Sequence, residues 1–470
     1  MLSVTRILRY AVGSKGNGNR RVYIQNHNAL NSANFFPHAR FSIKETANEI
    51  ILTLNESGER KVYESRRGDS IVELCDKKIS QFIGDCAKYV TVKLVANQIR
   101  ISRHHAEVQR TTRENHFHKS IKKKVITTAS LFSGVGHLTY CMHKGLEKAG
   151  FTPKIKFANE IDSVVANLNA INPIWKSSTK DATLVVDDLQ TMDLSLLPNY
   201  VDHLEIALPC TGQSTMISPD KRDILHPVTG KLFIRTLEAI TKSNPATLTI
   251  ECTPRLLEST TFLCIEDYLN KFGYSFETTT LRGSDFGDFE IRSRFCLFAV
   301  SKGLKHLFPS LESINMFHQT NQHTFADIKD DIADDSALWK TYSHVKKRDD
   351  MKHLGYRNVL IGDEAKSMPA ILATYSSPKA GSPFIPHGTN PELQRQITVN
   401  EHNKIRQFPK TLADGILKLS KGLLAGQTRT NVKAAHRIGG NSVSPSPWKA
   451  LMFHMFSGLH NNTKQLNLLT

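Results

Sequence analysis

Leu208-Pro209-Cys210 closes the apolar run 204–208 and leads into a loop that contains Gly212. A strand end that opens into a loop is a good mount for a nucleophile, because a thiolate needs access to its target. Taken singly, a cysteine is more often a small buried apolar residue. The next apolar run, 247–251, ends in Glu251. A carboxylate there has to be paired or used, since burying it alone is costly. Arg292 and Arg294 open a further run. On extended backbone an i, i+2 pair aims both guanidiniums to one side, as a working pair or as an edge-strand charge pair.

A second set of residues describes a ligand crevice. Phe132-Ser133-Gly134-Val-Gly136 joins a strand candidate to a helix candidate. Glycines in such a turn let the backbone approach a ligand closely, although a plain tight turn reads the same way. Glu160-Ile161-Asp162 ends the second strand candidate, where a carboxylate can hold a ribose hydroxyl pair. Asp187-Asp188 follows about one βα unit later. Each acid can equally cap a helix. As a set they outline a site for a nucleoside-type cofactor.

These residues need a scaffold that brings strand ends together. Apolar runs at 125–132, 155–159, 204–208, 247–251, 275–281 and 294–300 read as strands, and 137–148 and 231–241 carry helical periodicity. That alternation predicts an α/β, doubly wound, mostly parallel sheet, with ligands outside the carboxyl ends of its strands. The connection 211–230 is long for a structureless segment and reads as a mobile lid or a surface insertion.

The 470 residues carry a net charge of +17, which favours a polyanionic partner, and their 40% hydrophobic content argues against intrinsic disorder. No apolar run is long enough to span a membrane. Seven cysteines without a CxxC pair argue against a disulfide framework or a zinc ribbon and for a reducing compartment. Residues 1–124 hold +12 of the charge. The expected organisation is a basic β-rich module (1–110), a polar linker (111–124) and a larger, nearly balanced domain from 125 onward. The module contains a weak repeat: 41–50 and 90–99 align without a gap, with Lys44/Lys93, Ala47/Ala96, Asn48/Asn97 and Ile50/Ile99 identical. Each copy reads as two strands around a small turn, preceded by a strand near 22–24 or 71–72. This pattern loosely resembles the swapped-hairpin, AbrB-like DNA-binding barrels.

In order and spacing, Phe132-Ser-Gly134-Val-Gly136, Glu160-Ile-Asp162, Pro209-Cys210, Glu251, Arg292-x-Arg294 and Gly440-Asn441-Ser-Val443 resemble the motifs of the cytosine-5 DNA methyltransferases. Arg395-Gln-Ile-Thr398-Val-Asn-Glu401 with Phe408-Pro409 is similar to that family's penultimate motif. The resemblance implies a Rossmann-like methyltransferase domain (125–301 and 395–470) with a target-recognition subdomain inserted at 302–394. It implies S-adenosyl-L-methionine as cofactor, lined by Phe132, Ser133, Gly134 and Gly136. Glu160 would hold the ribose with Ile161 beside it, and Asp188 would meet the adenine. Leu232 would touch the cofactor, and Asn441 and Val443 would close the pocket.

The same resemblance gives Cys210 attack at cytosine C6, Glu251 a proton for N3, and Arg294 with Arg292 a hold on O2, all on an extruded base. In the target-recognition region Lys346, Lys347, Arg348, Lys352, Arg357, Tyr342, Tyr356 and Tyr375 are candidates for contacting DNA. Partners then reduce to DNA, with no metal and no membrane, in the cytoplasm (nucleoid-associated in a bacterium); the oligomeric state stays open, with a monomer expected for the catalytic domain. A tRNA cytosine-5 methyltransferase and a non-catalytic DNA-binding regulator on the same fold are the alternatives. The chain departs from the family at Ser130 (usually Asp), His137 (usually Gly), Thr211, Cys252-Thr253 and Glu290 (usually Gln).

Overall fold

The two copies of the repeat fold alike. In the computed structural model, which describes residues 5–84, 87–213, 218–347, 355, 357–424, 427 and 429–460, the chain divides into two compact units, Met1–Thr112 and Arg113–Thr470. In the first unit one copy supplies β1 (Arg6–Ser14), β2 (Arg20–Ile24), α1 (His27–Ser32), β3 (Arg40–Glu45) and β4 (Glu49–Leu54). The other supplies β5 (Arg60–Lys61), β6 (Tyr63–Glu64), β7 (Ser70–Leu74), α2 (Lys77–Ile83), β8 (Tyr89–Val95) and β9 (Gln98–Arg103).

The register between the copies is two-fold. Val22 faces Leu74 while Ile24 faces Val72, and Ile50 faces Ile101 while Leu52 faces Ile99. The strand order β5-β3-β4-β9-β8-β1-β2-β7-β6 ends on two strands separated by Val62 alone, so the antiparallel sheet closes on itself. Alternate residues such as Val22, Leu52, Val72, Val92 and Ile101 fill the interior, and closure leaves no long edge unpaired.

The polar stretch 111–124, expected as a linker, is helix instead. It forms the second half of α3 (His105–Lys123), and its residues from 113 onward belong to the second unit. Phe117 and Ile121, one turn apart, are buried in that unit's core. Arg113 is 1% exposed and lies 3.9 Å over the Tyr274 ring. Its guanidinium donates to Ser301 Oγ (2.9 Å), Asn244 Oδ1 (3.2 Å) and the carbonyls of Phe272 (2.7 Å) and Gly273 (3.0 Å). Replacing Arg113 by alanine strands these acceptors and is expected to cost about 3–5 kcal/mol. A thermal melt of the variant should show a fall of several degrees; an unchanged midpoint would contradict this role for the helix. The boundary also redistributes charge: residues 1–112 carry +8, and the other +4 of the +12 in residues 1–124 belongs to the second unit.

The second unit is built on β10 (Val125–Leu131), β11 (Thr152–Glu160), β12 (Ser178–Val186), β13 (His203–Ala207), β14 (Thr247–Cys252), β15 (Tyr274–Arg282), β16 (Glu290–Ile291) and β17 (Ser293–Ser301). The main sheet runs β12-β11-β10-β13-β14-β17-β15, parallel from β12 to β14, with β17 antiparallel to both its neighbours. β12 went unpredicted. It is an edge strand whose first half bears Lys180 and Asp181, and its apolar run Leu184-Val185-Val186 is too short to signal a strand.

Helices cover both faces. α4 (His137–Lys148) buries Leu138, Cys141 and Met142 on one face. α6 (Leu232–Ser243) and α7 (Thr260–Lys271) pack Leu232, Ile240, Phe262 and Ile265 on the other. α5 (Ser163–Ala170) follows β11.

The inserted region has a small core of its own, with Phe325, Ile361, Met368, Ile371, Tyr375 and Ile385. Its elements are α8 (Ser343–Lys346), β18 (Val359–Leu360), β19 (Met368–Pro369), β20 (Pro383–Pro386) and β21 (Gln394–Arg395). The chain then returns through α9 (Val399–Ile405), α10 (Lys410–Ser420), α11 (Val432–Asn441) and α12 (Pro445–Ser457), the last packing in the same core as α4. Thr398 and Glu401 form a reciprocal cap at the start of α9, and Glu401 also takes Arg395 through both oxygens (2.8 and 2.7 Å) in a fully buried pair. No helix among the described residues is long and apolar enough to cross a membrane.

Candidate active site

β13 and β14 lie side by side and in parallel, with Ala207 opposite Glu251, and the Leu208 amide donates to the Glu251 carbonyl at 2.9 Å. Pro209 has no amide to continue the ladder, so the chain leaves the sheet there and Cys210 emerges exposed at its carboxyl edge. Glu251 is 9% exposed, and one carboxylate oxygen takes Arg294 Nε at 2.8 Å. Burial raises the Glu251 carboxyl above its ordinary range, against the pull of Arg294 and Arg292. The Cys210 thiol is also raised, by desolvation and then by the charge of Glu251, with the two arginines opposing. A thiol and a reluctant acid therefore share one rim, with a guanidinium beside them.

The two arginines part company. β16 stops at Ile291 and β17 starts at Ser293, so Arg292 stands at a break and the alternation assumed for an i, i+2 pair does not carry across it. Arg292 is 3% exposed and donates to the carbonyls of Gly440 (2.5 Å) and Ile371 (3.2 Å). It reaches Glu251 and Cys210 through its field only. Glu290 is paired with Arg406, a residue the sequence reading overlooked; the signal was a carboxylate where the family has an amide, which demands a cation when buried. Although burial pushes the Glu290 carboxyl up, Arg406 and Arg292 hold it below the usual range.

The crevice lies at the ends of β10 and β11. Phe132, Gly134 and Gly136 all take left-handed backbone angles (φ 56°, 54° and 74°), which curl the turn before α4. A Cβ placed on Gly134 would meet nothing within 4 Å, so this face of the turn opens outward. Glu160 stands opposite, its oxygens accepting from the amides of Gly134 and Asp162, both at 2.9 Å. Ile161, 65% exposed, offers an apolar surface beside it. Asp188 is half-buried, and its loop is closed by the Gln190 amide at 2.9 Å. An open glycine face, an oriented carboxylate and an exposed aliphatic side chain fit a nucleoside bearing an amino-acid tail.

Other expected lining residues serve the scaffold. Ser133 donates to the Asn159 carbonyl and accepts from Asn169 Nδ2, both at 3.0 Å. Leu232 is buried in the core that holds Leu131 and Leu208, and Val443 in the core of α4 and α12. Asn441 ends α11 exposed.

The connection 211–230 is less free than expected for a lid. Its described residues hold three short 3₁₀ turns, and Asp223 docks it on the start of α7, accepting from the amides of Thr260 (2.6 Å) and Thr261 (3.2 Å) and from Gln213 Nε2 (3.1 Å). Ser214 lies outside the described residues. In the inserted region Tyr375, expected to meet DNA, is 1% exposed and bonds the Pro383 carbonyl instead. Lys346 is held by Glu392, whereas Lys347 and Arg357 are exposed and Tyr342 is half-buried. Arg348, Lys352 and Tyr356 lie outside the described residues.

The model of the C-5 cytosine-specific DNA methylase family matches residues 126–456, most of the chain. The chain belongs to this family. Among curated relatives of this C-5 cytosine-specific methylase, the type II methyltransferase M1.BsuMI of Bacillus subtilis is 23% identical over 45% of the chain, which spans about half (51%) of that protein's length. Two solved structures share the fold: Entamoeba histolytica EhMeth (TM-score 0.53, 18% identity, 72% of this chain and 98% of that one) and Schizosaccharomyces pombe Dnmt2 (TM-score 0.51, 16%, 69% and 96%). S-adenosylmethionine is the cofactor that membership implies, and the crevice fits it.

Proposed function

We propose that the chain methylates C5 of cytosine in DNA through a covalent adduct at Cys210. The observation that carries this is the exposed Cys210 beside the Glu251–Arg294 pair, on the sheet edge that also bears the Gly134 crevice. Cytosine C5 is a poor nucleophile. Addition of Cys210 Sγ to C6 breaks the ring's conjugation and makes C5 enamine-like, dividing one hard step into two easier ones. Negative charge then gathers toward N3 and O2. Glu251, its carboxyl kept protonated toward higher pH by burial, gives N3 a proton, and Arg294 donates to O2. Glu160, Gly134 and Ile161 hold the cofactor, which supplies an electrophilic methyl group when bound. Loss of the C5 proton and expulsion of Cys210 restore the aromatic ring. The base is extruded for this chemistry, since C6 is out of reach inside a duplex.

An oligonucleotide carrying 5-fluorocytosine tests the reading, because fluorine at C5 cannot leave as a proton. A denaturant-stable adduct mapping to Cys210 is expected with DNA. Methyl transfer without an adduct would contradict attack at C6, and transfer to tRNA in place of DNA would contradict the substrate.

The +8 unit 1–112 is assigned to the phosphate backbone, and the inserted region 302–394 to target recognition. Truncation should stop at 112 rather than 124, to spare Phe117 and Ile121. The shortened chain is expected to bind DNA more weakly, with a salt slope lower by several units. An unchanged slope would show that the unit does not meet phosphate.

A further inference from the structure

We propose that Glu290, Arg406 and Arg292 form a positioning device that fixes the segment Gly440–Val443 against Arg294, so that the cofactor side and the base side of the site depend on one buried ion pair. The proposal rests on the functional reading above.

The device sits on the carboxyl end of α11. The last carbonyls of a helix have no partner within it. Here Gly439 O accepts from Arg406 Nε at 2.8 Å and Gly440 O from Arg292 Nη2 at 2.5 Å. Cations at this end also suit the helix dipole. Both guanidiniums reach the Ile371 carbonyl as well, at 3.2 Å from Arg292 and 3.4 Å from Arg406. Glu290 is their counter-ion. It takes Arg406 through both oxygens, one contact at 2.9 Å, lies 3.6 Å from Arg292, and accepts from the Ile371 amide and Ser444 Oγ. All three side chains are at most 3% exposed.

The packing leaves no slack. A Cβ on Gly440 would stand 2.3 Å from the Ala373 amide nitrogen, and one on Gly439 would stand 2.4 Å from the His402 ring. Glycine at both positions lets α9 and residues 371–373 close on the helix end. Arg292 lies two residues before Arg294, and the gripped carbonyl of Gly440 immediately precedes Asn441. One carboxylate thus keeps Arg292, two residues from Arg294, and Arg406 on the end of α11, the helix whose Arg437 bonds Asp162 (2.8 Å) beside Glu160 of the crevice. An amide at 290, the family's usual residue, cannot neutralise them, which ties Glu290 to Arg406 in this chain.

Three variants of the full chain test this: Glu290→Gln, Arg292→Lys, and the double variant Glu290→Gln/Arg406→Gln. The readouts are the Kd of S-adenosylhomocysteine by calorimetry, KM for the cofactor against kcat on DNA, and thermal unfolding. Glu290→Gln should raise Kd and KM about tenfold or more and, through Arg294, lower kcat as well. The double variant leaves one stranded cation, Arg292, in place of two, and should recover part of the lost affinity. Arg292→Lys keeps the charge but loses the fork, and should weaken binding even where melting shifts little. Kd unchanged in Glu290→Gln, or a double variant no better than the single, overturns the proposal. Should Glu290→Gln fail to fold, an unchanged Kd in Arg292→Lys overturns it. A parent chain that binds S-adenosylhomocysteine yet methylates no DNA refutes the functional reading and leaves this inference standing.

Discussion

Replacing Cys210 by serine is expected to remove methyl transfer to DNA, by a factor on the order of 10⁴ or more. Serine differs by one atom, and Cys210 is exposed at a strand end rather than packed in a core, so the fold and DNA affinity should persist. What is lost is the nucleophile: a hydroxyl ionises far less readily than a thiol, and C6 remains unattacked. Transfer of tritiated methyl from S-adenosylmethionine into DNA measures the effect, with DNA binding as the control for folding. Undiminished transfer would sink the mechanism. Three other cysteines give a contrast: Cys141, Cys252 and Cys296 are buried in the apolar cores and serve as packing.

Glu251→Gln carries the second large effect, a fall in kcat of about 10²–10⁴. Glutamine can still bond Arg294 and N3 but has no proton to give. The pH profile separates this role from packing. Glu251 has its carboxyl raised by burial, so the working acid is present at low pH and is lost as pH rises through that raised value. Ionisation of Cys210 works in the opposite sense, so the ratio of parent kcat to Glu251→Gln kcat, in which the thiol cancels, should decline as pH rises through the Glu251 titration. A ratio independent of pH would move the assignment to another group.

The reactive rim was legible because β13 and β14 are apolar runs that end abruptly at Pro209-Cys210 and at Glu251, and a parallel sheet brings such ends together. Motif order then supplied the crevice. What stayed hidden was decided by tertiary contact. Arg292 and Arg294 read as a pair until the break between β16 and β17 sent one toward backbone carbonyls. Leu232 and Val443 are motif residues whose side chains face the core. Residues 111–124 read as a linker because Arg113 is chemically a surface residue, and only its buried acceptors show otherwise. Tyr375 misled in the opposite direction, an aromatic spent on the core of its own region.

The closed sheet of the first unit bears on how the protein is made. Each half lends its first strand to the other: β1 pairs with β8, and β5 with β3, while β2 meets β7 and β4 meets β9. Residues 6–54 therefore have no complete sheet to join until residues 89–103 have left the ribosome. Such distant pairing makes folding slow. During synthesis the first half waits with unpaired strand edges, an aggregation hazard that the finished barrel removes by closing.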